Sequence, residues 1–250
     1  MDVVIIGSGN VATVLARKAK AAGHGIVQVV GRNAERVAEL ATEMGCKTGD
    51  FSQIDKNADI YIIAIADSAL HTIGSKISLA NKLVVHTAGA VSKDVLATAS
   101  SNYGVMYPLQ SLRMERPQLP EIPFLVDGNN ADSLSSITSF ANSLSTNVQK
   151  STDADRLKLH VAAVVVSNFT NHLYAHAQDF CEKEHVAFSS LQPLIEETAN
   201  RMRQVAPKEL QTGPAIRNDV FTLDRHLKTL AAHPKLKYLY IKLTDSIMSK

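Results

Sequence analysis

Val3-Val4-Ile5-Ile6-Gly7-Ser8-Gly9-Asn10-Val11-Ala12 opens the chain almost at its first Met, and a helix-like stretch then runs to Ala22. A buried strand, a Gly-x-Gly-x-x-Ala turn and a helix start make a pyrophosphate seat. The first Gly allows the tight turn, and the second lets phosphate approach the backbone. The small third residue lets helix and strand pack closely. The backbone of Gly7, Ser8, Gly9, Asn10 and Val11 is therefore expected to face a dinucleotide, with the partial positive charge of the helix N-terminus behind it.

The motif means little alone, so its surroundings decide. A second apolar run, Ile26-Val27-Gln28-Val29-Val30, follows the first helix and ends in Gly31-Arg32-Asn33, with an amphipathic segment from Ala34. That is the strand-helix-strand unit the motif requires. The tip of the second strand chooses the dinucleotide. NAD sites usually carry Asp or Glu there, to bind the ribose hydroxyls. Here no carboxylate stands in the way of a 2′-phosphate. Arg32 offers a planar, permanently charged fork for it, and Asn33 can add a donor while capping the next helix. The expected cofactor is NADP(H).

Composition narrows the class. The chain has 250 residues, a hydrophobic share of 45% and a formal net charge of +2. That length holds one large domain or two modest ones. The charge is too small to imply a nucleic-acid or membrane partner. Cys46 and Cys181 lie far apart and build neither a disulfide framework nor a zinc spacing. No apolar run is long enough to span a bilayer, and no basic leader precedes the first strand. A cytoplasmic protein is expected.

Glycine usage splits the chain. Eleven of the twelve glycines lie at or before Gly128, and only Gly213 comes later. A glycine-rich front suits strands and tight turns; a nearly glycine-free back suits helices. Asp59–Ile65, Lys82–His86, Gly104–Tyr107, Phe124–Val126 and Val148-Gln149 read as further strands. Pro117, Pro120 and Pro123 punctuate a loop, and Leu134–Leu144 reads as a helix. From Asp153, taken as a helix cap, a long helix is expected to about His185. Another is expected from Ser189 or Ser190, one from Asn218 or Asp219, and a last one after Pro234. The fold class expected is α/β, an N-terminal Rossmann doubly wound sheet (residues 1–151) followed by a C-terminal all-helical domain (residues 152–250).

Ligands of open parallel sheets sit beyond the C-terminal strand ends. That rule gathers Gly7–Ala12, Arg32, Ala66-Asp67 and His86-Thr87-Ala88-Gly89 on one edge. Asp67 reads as a helix cap. The small residues Thr87, Ala88 and Gly89 allow the close backbone approach that a nicotinamide needs, and His86 reads as a positioning residue or a satisfied polar side chain. On the long helix, turning about 100° per residue from His160 brings Val164, Ser167 and Asn171 within about 40°, with Asn168 about 80° away. Val161–Val166 is apolar all round, which predicts a buried helix and a homodimer. His160 is then the candidate general acid, with Ser167, Asn168 and Asn171 orienting a substrate. The competing reading is that these polar groups satisfy neighbouring helices or a dimer interface. His172 and His176 have chelating i, i+4 spacing but no evident third ligand, so no metal is expected. In the turn Thr212–Asp219, Arg217 can clamp a substrate carboxylate or phosphate beside Thr212, or lock the turn.

With these residues in place the chain resembles Rossmann-like oxidoreductases that join a front NADP-binding domain to a helical C-terminal domain. Pyrroline-5-carboxylate reductase, ketopantoate reductase, 6-phosphogluconate dehydrogenase and deazaflavin-linked NADP oxidoreductases belong to that group. The resemblance is carried by His86-Thr87-Ala88-Gly89 and Pro108-Leu109-Gln110. It continues through His160 with Asn168, and through Thr212-Gly213-Pro214 with Arg217 and Asp219. It is similar above all to a bacterial branch of the group. The resemblance implies a cytoplasmic NADP-dependent oxidoreductase acting on a small molecule. One departure stands out. Hydroxyacid dehydrogenases and ketopantoate reductase carry a Lys with an Asn four residues later on the first C-terminal helix. Here Lys158 is followed at that spacing by Ala162, and His160 by Val164.

The function expected is hydride transfer between NADP(H) and a small carbonyl or imine, in a cleft between the domains. Two alternatives carry different features. A non-catalytic NADP(H) sensor needs no acid on the long helix. A helical interaction module with a vestigial Rossmann front needs no cofactor.

Overall fold

The computed structural model describes residues 1–116 and 118–249; Pro117, expected in the proline-punctuated loop, lies outside them. The chain opens β1 (Asp2–Ile6), α1 (Asn10–Ala21), β2 (Gly25–Val30), α2 (Ala34–Met44), β3 (Lys47–Gly49) and β4 (Ile60–Ile63). There follow α3 (Asp67–Leu70), β5 (Leu83–His86), β6 (Asn102–Pro108), β7 (Phe124–Gly128), α4 (Ala131–Leu144) and β8 (Val148–Lys150). The helical back consists of α5 (Asp153–Ala163), a π-helical segment (Val164–Phe169), α6 (Thr170–Lys183), α7 (Gln192–Arg201), α8 (Val220–Thr229) and α9 (Pro234–Met248).

The eight strands form one sheet in the order β3-β2-β1-β4-β5-β6-β7-β8. All pairs are parallel except β6 with β7, which run antiparallel with Met106 opposite Val126. The order reverses between β1 and β4, where Val4 pairs with Tyr61 and Ile6 with Ile63. That reversal opens the crevice in which doubly wound sheets bind ligands. β1 and β4 are continuous apolar runs because helices cover both faces of the sheet. One core layer joins Val3, Ile5, Ile60 and Ile62 with Leu15 of α1, Leu40 of α2 and Phe140 of α4. The other joins Val4, Ile6, Tyr61 and Ile63 with Leu70, Ile73 and Leu96.

The fold class matches the sequence reading, with local corrections. β3 was not expected, because Lys47-Thr48-Gly49 is short and polar. Asp67 does not cap α3: the cap position is Ala66, with no side-chain cap bond, and the Asp67 carboxylate stays exposed. Asp153 is likewise not the cap of α5. Thr152 fills that role by accepting from the Asp155 amide at 3.2 Å, and Asp153 serves Arg156 instead. Asn33 does cap α2, accepting from the Arg36 amide at 3.0 Å.

The chain divides into two compact units, Met1–Ser167 and Asn168–Lys250. The first runs past Ser151 because α5 anchors on it through Arg156 and His160. The long helix is also not uniform. Its π segment bonds i to i+5 and so turns fewer degrees per residue, which takes Ser167 and Asn171 out of the α-helical register drawn from His160. Nor is that segment buried in this chain: Val166 is 71% exposed and Phe169 58%. No helix among the described residues is long and apolar enough to cross a membrane.

Candidate cofactor groove and active site

The groove begins at Gly7. Its φ of 128° is a conformation L side chains rarely adopt, and a Cβ there would collide with the Ala64 carbonyl of the neighbouring strand end. Gly9 stands before α1 without a side-chain cap, so the first-turn amides of that helix are left for another partner. A Cβ at Gly9 would meet nothing within 4 Å. The space it would enter belongs to a cavity of about 540 Å³. Gly7, Ser8, Gly9, Asn10 and Val11 line it, together with Gly31, Arg32 and Asn33 at the β2 end and Ala66, Asp67, Thr87 and Ala88 at the β4 and β5 ends. This volume, seated over free helix amides at the strand reversal, fits a dinucleotide. The Asn10 side chain is committed elsewhere: its Oδ1 accepts from the Met114 amide at 3.1 Å, tying the loop after β6 to the glycine turn.

Three cations line the groove, Arg32, Arg36 and Lys76, against one carboxylate, Asp67. Arg36 escaped the sequence reading. The signal was its place four residues after Arg32, in the first turn of a helix that Asn33 caps. Lys76 Nζ sits 5.9 Å from the centroid of Phe51, another groove residue the sequence did not single out.

At the β5 end, His86 departs from the expected lining role. It is 0% exposed and does not face the cavity. Its Nδ1 accepts from the Ala88 amide at 3.1 Å. A backbone N–H can only donate, so the ring proton sits on Nε2 and points to the Ser92 carbonyl at 3.3 Å. Burial, helped by the Arg156 charge, pushes its pKa down to about 4. His86 is thus a neutral staple inside the loop that presents Thr87 and Ala88.

A second staple comes from α5. Arg156, 1% exposed, donates from Nη2 to the Val91 carbonyl and to Asp153 Oδ1 at 2.8 Å. Asp153 Oδ1 also accepts from the Lys93 amide at 3.4 Å. Burial pushes the Asp153 carboxyl up, but hydrogen bonds from Ser92 and Arg156, with the positive charges nearby, outweigh it and hold it below the usual range. The Arg156 Nε and Nη1 are buried without hydrogen-bond partners among the described residues.

One turn beyond Arg156, His160 closes over Gly89. A Cβ at Gly89 would lie 2.6 Å from His160 Nδ1 and 3.0 Å from Tyr107 Cζ. Tyr107, on β6, places its hydroxyl 2.9 Å from His160 Nδ1, with the rings edge to face at 79°. Tyr107 is a further residue the sequence reading missed. It stands directly before the Pro108-Leu109-Gln110 element, and only the antiparallel turn of β6 against β7 marks that strand as unusual. Burial, and to a lesser degree the Asp67 carboxylate, raise the pKa of its phenol; the Arg156 charge opposes them.

Of the other expected site residues, Ser167 is half-buried in the π segment. Asn168, Asn171, Thr212 and Arg217 are exposed and belong to the second unit. In that unit Asp219 caps α8, accepting from the Thr222 amide at 3.0 Å, so the turn is held from its own helix. His172 and His176 bring their Nε2 atoms to 3.1 Å, and no cluster of three metal-ligating side chains occurs among the described residues.

Two family models match. Residues 2–89 match "NADP oxidoreductase coenzyme F420-dependent", and residues 122–247 match "Domain of unknown function (DUF2520)". No curated protein matches the chain. Among solved structures, a Bacteroides fragilis protein named as a candidate NADP oxidoreductase is 36% identical, with a TM-score of 0.93, over 100% of this chain and 98% of that one. A reductive aminase from Aspergillus terreus in complex with NADPH is 16% identical at a TM-score of 0.70, covering 98% of this chain and 92% of that one. A 1-pyrroline-5-carboxylate reductase from Streptococcus pyogenes is 15% identical at 0.65, covering 100% and 99%. These last two share the fold. Glycine turn, basic groove and helical back agree with the matches: the chain belongs to the DUF2520 family, carried on a Rossmann front half of the NADP oxidoreductase type.

Proposed function

We propose that the chain is an NADP(H)-dependent oxidoreductase that reduces a small carbonyl or imine, or runs the reverse reaction, with His160 as the proton donor. The observation that carries this reading is the placement of His160 over Gly89, next to the Thr87-Ala88 end of the groove. When bound, NADPH supplies the hydride. The amides of Ser8–Val11 and the α1 N-terminus receive its pyrophosphate, the Gly7 amide being donated to the Val30 carbonyl at 2.7 Å. Arg32 and Arg36 hold the 2′-phosphate, with Asn33 between them. Thr87 and Ala88 carry no bulk that would hinder a flat ring. His160 protonates the heteroatom that gains charge as its carbon is reduced. Ser167, at the end of the unit that carries His160, is the candidate substrate contact. The match to an NADP oxidoreductase model and the reductase neighbours support the reaction class.

The exposed apolar run Val161, Val165, Val166 and Phe169 is best covered by a second copy of the chain, so we place the active form as a homodimer. Two unpaired thiols, Cys46 and Cys181, accord with a reducing, cytoplasmic setting.

The test is calorimetry with NADPH and NADH, followed by stopped-flow hydride transfer against ketones, aldehydes, cyclic imines and a deazaflavin. His160→Ala and Asn168→Ala are run in parallel. Tight NADPH binding, with turnover lost in His160→Ala, is expected. NADPH binding without turnover on any member of the panel would favour a sensor.

A further inference from the structure

The Tyr107–His160 pair holds more than proximity. Tyr107 is 9% exposed, and its hydroxyl has one hydrogen-bond partner among the described residues, His160 Nδ1 at 2.9 Å. A buried O–H must find an acceptor, and here that acceptor is Nδ1. The phenol keeps its proton, since burial raises its pKa. With Nδ1 receiving that proton, a neutral His160 ring has to carry its own on Nε2. Which ring nitrogen bears the proton is set by the bond the other one makes. Gly89 closes the same side of the ring, leaving no room for even a methyl group against Nδ1 and Cγ. No protein group among the described residues takes Nε2.

We propose that Tyr107 is a positioning residue of the active site: it fixes the tautomer of the neutral His160 ring so that Nε2–H, and not Nδ1–H, is the proton presented for transfer, and, as that proton leaves, Nδ1 takes the Tyr107 hydroxyl proton, which water then restores to the phenolate. The proposal rests on the reading of His160 as the acid and adds the group that aims it. It assigns Tyr107 no bond to substrate. The hydroxyl orients the ring from behind, and β6 keeps the hydroxyl in place.

The experiment is nitrogen–proton correlation NMR of the imidazole rings in full-length protein labelled with ¹⁵N. Spectra are taken at about pH 8.5, where an ordinary imidazole is neutral. His160→Gln assigns the resonance, and Tyr107→Phe removes only the hydroxyl. The expected wild-type pattern is a protonated Nε2 and an unprotonated, hydrogen-bonded Nδ1. In Tyr107→Phe the Nδ1 resonance should move toward that of an unbonded ring nitrogen. A proton on Nδ1 in the wild type, or an Nδ1 resonance that Tyr107→Phe leaves in place, overturns the proposal. On a substrate found by the panel, Tyr107→Phe should lower kcat by roughly ten- to a hundredfold at unchanged KM and NADPH affinity. An unchanged kcat would also overturn it. The ring spectra need no substrate, so they separate this proposal from the acid assignment: full turnover by His160→Ala sinks the latter whichever tautomer is seen.

Discussion

Gly89 and His160 are packed so closely that one methyl group cannot be added between them: a Cβ on Gly89 would sit 2.6 Å from Nδ1 and 2.7 Å from Cγ of the imidazole. The loop that borders the groove and the helix that bears the proposed acid therefore share one contact surface. Gly89→Ala should push the ring off Tyr107. The expected outcome is a loss of about 1–3 kcal/mol in stability, the usual cost of overpacking, read by urea titration. Turnover should fall at least tenfold while NADPH affinity, governed by the far end of the groove, stays within about twofold. Wild-type turnover in the variant would remove the contact from the mechanism.

Arg32 sits at the tip of β2 with no acidic neighbour on that turn. Arg32→Asp replaces a cation by an anion at the proposed 2′-phosphate seat. Calorimetry should show NADPH binding weakened by roughly a hundredfold or more, and NADH binding changed severalfold at most. Arg36→Ala should give a smaller loss in the same direction. Equal losses for both cofactors would move the phosphate elsewhere.

His86 makes stability depend on pH. Its folded pKa is about 4 against an ordinary 6.5, so between those values the unfolded chain binds the extra proton. Stability contributed by the neutral, stapled ring is therefore complete above about pH 6.5 and falls as pH drops toward 4, by about 3 kcal/mol across the window. Urea midpoints from pH 7 to about pH 4 should show that decline in the wild type and a shallower one in His86→Gln, the difference being the His86 share. Parallel curves would contradict the assignment.

The exposed run from Val161 to Phe169 predicts self-association. Val166→Glu with Phe169→Glu should convert a dimer to a monomer in light scattering behind a sizing column, because two buried carboxylates per chain cannot be desolvated cheaply. A wild-type protein that is monomeric at micromolar concentration, or a charged variant that stays dimeric, would place the interface elsewhere.

Much of the front half was legible because its signals are local. The run Val3–Ile6 is apolar on both faces, the glycine turn demands a specific backbone, and Arg32 occupies the position that chooses between cofactors. Each depends on neighbours within a few residues. The helix caps were less legible: Asp153 and Asp67 had the right chemistry, but Thr152 took one cap, while Asp153 was drawn off by Arg156 and the Lys93 amide. The π segment could not be read from periodicity, since an extra residue in a turn leaves the apolar pattern intact and shifts only the faces that follow.

The sequence by itself determined the α/β class, the strand-turn-helix unit at the front, and the basic tip of β2, because strand patterning and turn chemistry act over short separations. The tertiary structure alone decided that Tyr107 meets His160 across 53 positions of chain, and that Arg156 reaches Val91 across 65. Those contacts arise where β6 and α5 are brought against one loop by sheet packing. No periodicity within either segment records the partner it will meet.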